Sequence, residues 1–122
     1  SGAVATSGAV ASGAAATLSE RLLRYVQAHF TDSSLSLMTL ADEFHLSPSY
    51  VTRLIKQESG KSFTELLNQY RLEHASRLLT TQKDLKLWAV ADACGFSSQH
   101  YFSRIFKQET GYTPAEYRKL EP

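Results

Sequence analysis

Two segments of the sequence carry the same polar and cationic side chains at the same spacing. A shift of 51 residues places residues 50–60 on residues 101–111, and the Tyr, Arg, Lys, Gln, Glu and Gly positions are identical. At 100° per residue, the apolar residues of each segment form one stripe that a helix would turn toward a core. The opposite faces would expose Ser49, Thr52, Arg53 and Lys56 in the first segment and His100, Ser103, Arg104 and Lys107 in the second.

These faces combine short hydrogen-bonding groups with long cations, a mixture that suits the major groove of double-stranded DNA. Short donors and acceptors can read base edges, arginine can bind guanine through two hydrogen bonds, and lysine can contact phosphate. An ordinary solvated helix face also carries polar residues, and so does a surface that binds a protein. Because the face occurs twice, with matching caps and turns, the sequence favours DNA readout. A helical protein-interaction module is the alternative.

The elements that must position these faces are helices. Apolar residues recur at spacings of three and four throughout residues 18–122, and no stretch alternates with a period of two. Ser47 before Pro48, Ser62 three residues before Glu65, and Gly60 are typical helix caps. The pattern predicts an all-α fold of seven helices, at about 19–30, 36–44, 48–59, 62–79, 85–94, 98–110 and after Thr113.

The predicted helices form two helix-turn-helix units, at about 18–61 and 84–120, joined by a connecting helix at about 62–80. The connecting helix is expected to serve two cores, because the apolar residues of its second half lie about 120° from those of its first half. The first set is Phe63, Leu66, Leu67 and Tyr70, and the second is Leu72, Ala75, Leu78 and Leu79. About seventeen residues span ~25 Å, enough to hold two reading helices near the ~34 Å separation of successive major-groove segments.

The turns and some apolar residues carry separate expectations. Gly95 lies where a tight turn often requires a positive φ, and His45 holds the equivalent place in the first unit. At an offset of 50, Ser47 falls on Ser97. Cys94 is expected to be a small buried hydrophobe. Trp88 could lie in the core or exposed near the connecting helix, and its size favours the core.

Composition excludes several classes of function. A single Cys cannot form an internal disulfide, and four scattered His lack the spacing of a zinc site. No run approaches 18 apolar residues, so the sequence predicts no membrane-spanning helix. There is no Gly-rich phosphate loop, carboxylate pair or nucleophile motif. We therefore expect no enzyme, no metal and no cofactor.

Charge and composition are unevenly distributed along the 122 residues. Residues 1–17 contain only Ser, Gly, Ala, Val and Thr, and they are interpreted as a flexible linker or an artificial remnant. Thirteen Lys and Arg against twelve Asp and Glu leave a net charge of +1, which is low for a domain that binds phosphates. We therefore expect an acidic surface behind a locally basic one, and a DNA affinity that falls with salt. The basic surface comprises Arg53, Lys56, Lys61, Arg104 and Lys107.

Residues 19–119 resemble the DNA-binding domain of the AraC/XylS transcription regulators. The most specific motifs are YFSRIFK at 101–107 and GYTPAEYR at 111–118, and Gly95-Phe96 and Arg71-Leu72 also match. The resemblance implies a bacterial, cytoplasmic transcription factor domain with recognition helices at about 48–59 and 98–110. It carries base contact onto Ser49, Tyr50, Thr52, Arg53, Gln99, His100, Ser103 and Arg104. It carries phosphate contact onto Lys56, Ser62, Lys107 and Thr113, where the helix N-termini capped by Ser62 and Thr113 would add backbone donors.

The resemblance also implies partners and has one departure in the core. Double-stranded promoter DNA is the expected partner, RNA polymerase is a further one, and the domain is expected to be monomeric alone. Ile55 replaces an aromatic residue common in the family, which should alter packing rather than readout. Family members usually carry an effector-binding, receiver or sensor region as well, so the chain is expected to be a fragment.

Overall fold

The computed structural model describes residues 16–120, and the helices within that range confirm the predicted all-α fold. No strand occurs in the described part of the chain. The helices are α1 (Leu18–His29), α2 (Leu37–Phe44), α3 (Pro48–Ser59), α4 (Phe63–Thr81), α5 (Leu87–Ala93), α6 (Gln99–Thr110) and α7 (Pro114–Lys119). The interpretation of residues 1–15 as a linker or remnant lies outside the described residues.

Side-chain caps start six of the seven helices in the described range, since Lys86 makes no capping hydrogen bond before α5. Two of the caps differ from the sequence expectation. Thr17 belongs to the low-complexity stretch by composition, but its hydroxyl accepts the Glu20 N–H at 3.2 Å and N-caps α1. Ser98, rather than Ser97, caps α6 by accepting the Tyr101 N–H at 3.1 Å. The equivalence of Ser47 with Ser97 was therefore wrong. The turn of the second unit holds one additional residue, which moves the cap to an offset of 51.

Helix α4 connects two separate hydrophobic cores, as predicted. Its first half packs Phe63, Leu66 and Leu67 with buried residues of α1, α2 and α3. Its second half packs Leu72, Ala75 and Leu79 with buried residues of α5 and α6. Ile55, the departure noted above, is fully buried in the first core. One helix of 19 residues, about 28 Å long, is thus shared by both units.

Trp88 corrects an expectation, because the indole lies on the surface with 63% of its area exposed. It occupies the first turn of the seven-residue α5, whose buried residues are Val90 and Ala91. Met38 holds the equivalent place in α2 and is 60% exposed. This helix position is exposed to solvent in both units, so burial of Trp88 could not be inferred from the size of its side chain alone. Cys94 is fully buried as expected, and burial raises the pKa of its thiol to about 12.

Candidate nucleic-acid interface

Helix α3 presents a polar face because its apolar stripe is buried. Val51, Leu54 and Ile55 face the first core. Gly60 ends the helix with φ +77° and donates its N–H to the Lys56 carbonyl at 2.9 Å. The five side chains predicted to contact DNA from this helix are all exposed, and they are Ser49, Tyr50, Thr52, Arg53 and Lys56.

Helix α6 repeats this arrangement in the second unit. Phe102 and Phe106 are fully buried in the second core, and Gly111 ends the helix with φ +85°. Of the predicted contact residues, Gln99, His100, Arg104 and Lys107 are exposed and Ser103 is half-buried. The structure brings most of them together, since one shallow surface depression is lined by His100, Ser103, Arg104, Lys107 and Gln108.

Each reading helix carries an arginine packed on a tyrosine three residues earlier. The guanidinium carbon of Arg53 lies 5.3 Å from the Tyr50 ring centroid, and that of Arg104 lies 5.4 Å from the Tyr101 ring centroid. This cation–π contact restricts the rotamers of the long arginine side chain. A guanidinium that lies over a ring keeps its N–H groups in its own plane, where they remain available to a planar acceptor pair.

Tyr101 is a residue of the candidate interface that the sequence prediction omitted. The 51-residue repeat places it opposite Tyr50, which was included, so the signal was present. Its hydroxyl accepts a hydrogen bond from Asn68 Nδ2 at 3.1 Å, which ties α6 to α4. The Tyr101 ring therefore packs against the Arg104 guanidinium, and its hydroxyl is hydrogen-bonded to the connecting helix.

The turns between the helices have the expected left-handed backbone. His45 has φ +58° and Gly95 has φ +96°. In the first unit the His45 and Leu46 N–H groups bond to the Asp42 and Ala41 carbonyls, which closes the α2 C-terminus. In the second unit the Phe96 N–H bonds to the Ala91 carbonyl at 2.9 Å. Both units are thus helix-turn-helix motifs in geometry as well as in sequence.

The predicted phosphate contacts at Ser62 and Thr113 lie in capping boxes. The Ser62 hydroxyl accepts the Glu65 N–H at 3.2 Å, and the Glu65 carboxylate accepts the Ser62 N–H at 2.9 Å. Thr113 and Glu116 make the same pair at 3.1 and 2.9 Å. These backbone hydrogen bonds hold the pKa of both carboxyls below their ordinary value. The N–H groups of Ser62, Glu65, Thr113 and Glu116 are therefore occupied within the capping boxes.

The charged groups of the interface are accessible. Arg53, Lys56, Lys61, Arg104 and Lys107 are all exposed. Among residues 16–120, no His, Cys, Asp and Glu side chains cluster in a way that could hold a metal ion. Within the same range, no helix has the length and apolar character needed to span a bilayer.

Two matched helix-turn-helix motifs on one connecting helix define a helix-turn-helix domain of the DNA-binding class. A family model described as a helix-turn-helix domain matches residues 40–120. The chain is 39% identical over 102 residues to YijO, an HTH-type transcriptional regulator of Escherichia coli K12. That match covers 84% of this chain and 35% of YijO, so the chain spans about a third of the length of that relative.

Solved structures share the fold. The C-terminal domain of AraT, a response regulator from Geobacillus stearothermophilus, superposes with a TM-score of 0.82 at 39% identity and covers 87% of each chain. The DNA-binding domain of the transcriptional factor AdpA, solved in complex with a target DNA, superposes with a TM-score of 0.77 at 26% identity, covering 84% of this chain and 91% of that one. The chain belongs to the AraC-type helix-turn-helix family, whose members are DNA-binding transcription regulators.

Proposed function

We propose that this chain binds double-stranded DNA sequence-specifically by inserting α3 and α6 into two successive segments of the major groove. The observation that carries the proposal is the repeated arginine-on-tyrosine geometry, 5.3 Å in α3 and 5.4 Å in α6. In both helices the arginine of the pair is exposed, so its guanidinium is accessible to a base edge. Two arginines that each read a base pair would need this restriction, because a guanidinium bound in plane to guanine must be oriented.

The contact residues divide by chemistry. Arginine binds the two acceptors of guanine, whereas hydroxyl, amide and imidazole groups read other base edges near the helix N-terminus. The proposed base contacts are Ser49, Tyr50, Thr52, Arg53, Gln99, His100, Ser103 and Arg104. The proposed phosphate contacts are Lys56, Ser62, Lys107 and Thr113.

One connecting helix allows a single chain to contact both segments. The 19 residues of α4 span about 28 Å, and each unit packs against one half of the helix. With the offsets of α3 and α6 added, this length is compatible with the ~34 Å between successive major-groove segments on one side of the duplex. The domain therefore acts as a monomer in this proposal, without a symmetric partner.

Further parts of the proposal concern the cell. DNA-binding regulators of bacteria act in the cytoplasm, where the promoters are, and RNA polymerase is the second partner we propose for the bound protein. No catalytic step is assigned to this domain. In this proposal its polar side chains bind and orient.

The test begins with duplexes selected from a random pool by the purified chain, followed by fluorescence anisotropy titrations on the selected site. Arg53→Ala should lower discrimination at one segment of the site by about 1–3 kcal/mol, and Arg104→Ala should do so at the other. Arg24→Ala is the matched control, because it removes the same charge from an exposed position of α1. It should leave discrimination at both segments unchanged.

Two results would contradict the proposal. The first is a preferred duplex to which both arginine variants bind as tightly as the natural chain. The second is an affinity for that duplex that does not change with salt, because phosphate contacts release counterions and make binding salt-dependent. Either result would favour the alternative, in which the matched faces bind a protein.

A further inference from the structure

A buried arginine lies at the point where the two helix-turn-helix units meet. Arg71 is on α4, between the residues of its first core and those of its second, and it is 7% exposed. A buried guanidinium is costly unless its donors are satisfied. Its position therefore requires partners, and those partners come from both units.

The partners in the first unit are two backbone carbonyls at the end of α1. Arg71 Nε donates to the Phe30 carbonyl at 2.7 Å, and an Nη donates to the Asp32 carbonyl at 3.0 Å. Phe30 is the C-cap of α1, where carbonyls lack partners within the helix and carry the negative end of its dipole. The cation thus satisfies the end of a helix in the first unit.

The partners in the second unit belong to the turn before α6. The Arg71 guanidinium carbon lies 5.8 Å from the Phe96 ring centroid. A Cβ on the neighbouring Gly95 would lie 2.4 Å from the Phe30 carbonyl oxygen and 2.9 Å from Arg71 Nε. The turn of the second unit therefore lies directly on the α1–α2 loop of the first, with Arg71 between them. We call this group of five residues, Phe30, Asp32, Arg71, Gly95 and Phe96, the Arg71 clasp.

The first unit shows that the turn conformation alone does not demand glycine. His45 occupies the equivalent turn with φ +58°, and its side chain is exposed. A left-handed backbone with a side chain is thus tolerated where nothing lies close. Gly95 differs because backbone of the other unit occupies the space of its Cβ. The glycine of the second turn is explained by the contact between the units.

We propose that Arg71 is a positioning residue for DNA recognition: the Arg71 clasp holds α3 and α6 at one separation and orientation, so the chain accepts one spacing between its two DNA segments. This inference rests on the proposed function. Arg71 is remote from the reading faces and contacts no base in this scheme. It acts by joining two units that otherwise share α4 as their common support.

The first test uses duplexes in which one base pair is inserted or deleted between the two segments. Each change moves one segment by ~3.4 Å and ~35° relative to the other. The natural chain should lose about tenfold or more in affinity, as for a mismatched base pair. Arg71→Met should bind each single segment as the natural chain does, but it should lose affinity for the complete site and discriminate less than about threefold among spacings.

Arg77→Met is the matched control, because Arg77 is an exposed arginine on the same helix. It should keep the spacing preference of the natural chain. Arg71→Lys retains the charge but lacks the flat group that packs on Phe96, and it should show an intermediate preference. Should Arg71→Met prove unfolded by circular dichroism, Arg71→Lys decides the matter. An unchanged spacing preference in the folded variant overturns the proposal.

A second measurement needs no DNA and separates this inference from the proposed function. Spin labels on Gln57→Cys and Gln108→Cys occupy equivalent exposed positions of α3 and α6. The native Cys94 is fully buried and should resist labelling. The labelled double-cysteine chain that keeps Arg71 should give one narrow distribution of label-to-label distances. The same labelled chain with Arg71→Met should give a broad or shifted distribution. If the labelled chains with Arg71 and with Arg71→Met give equally narrow and unshifted distributions, the Arg71 clasp is overturned. If Arg71→Met broadens the distribution but the natural chain binds no duplex, only the proposed function is overturned.

Discussion

Substitution of three glycines by alanine should have unequal effects, although all three have a left-handed backbone. Gly60, Gly95 and Gly111 have φ values of +77°, +96° and +85°. A Cβ at Gly60 or Gly111 meets nothing within 4 Å, whereas a Cβ at Gly95 would lie 2.4 Å from the Phe30 carbonyl oxygen. The series therefore separates backbone strain from the close approach of the two units.

The magnitudes follow from two costs. Alanine in the left-handed region costs about 1–2 kcal/mol, and the lower entropy of its unfolded chain returns about 0.4–1 kcal/mol. Gly60→Ala and Gly111→Ala should therefore lose about 1 kcal/mol of unfolding free energy. Gly95→Ala adds an overlap with backbone atoms that cannot rotate away, about 1–3 kcal/mol more, for a total of about 2–4 kcal/mol.

The assay is urea and thermal unfolding followed by circular dichroism at neutral pH. In a domain of this size each kcal/mol lowers Tm by roughly 4–8 °C, so Gly95→Ala should melt at least about 8 °C below the natural chain. Gly60→Ala is the matched control at a similar φ. Equal losses of stability in the two variants would refute the reasoning, because they would mean that the turn of the second unit has room for a side chain in solution.

Three further predictions concern the caps, the cores and the phosphate contacts. The pKa values of Glu65 and Glu116 lie below their ordinary value of 4.5 in the folded chain. The two caps therefore contribute fully to the free energy of unfolding above pH 4.5, and that contribution is lost as the pH falls through the lowered pKa values. Glu65→Gln with Glu116→Gln keeps the caps without a titrating charge, so its urea midpoint should fall less between about pH 5 and 3 than that of the natural chain. Trp88→Ser should change the unfolding free energy by less than about 1 kcal/mol, whereas Phe106→Ala should lose about 3–5 kcal/mol; similar losses in urea titrations would contradict the exposure of Trp88. Lys107→Ala should weaken binding to all duplexes alike and reduce the slope of log affinity against log salt by about 1. A change in base preference instead would place Lys107 among the reading residues.

Local features of the chain were predictable because their causes lie within one helical turn. Apolar spacing determines the buried face of each helix, so the switch of α4 from one core to the other at Arg71-Leu72 was readable from the sequence. Capping boxes need residues three positions apart, and the box of Ser62 with Glu65 formed as expected. The exposed reading faces then followed from the buried ones.

Features that depend on residues distant in the chain were not predictable. Arg71 and its acceptor Phe30 are separated by 41 residues, and no local pattern joins them. The exposure of Trp88 depends on which elements pack against the first turn of α5. The sequence by itself thus determined the two reading helices and their polar faces. Only the tertiary structure determined how those helices are held together, because a buried cation takes its position from carbonyls and rings that folding brings to it.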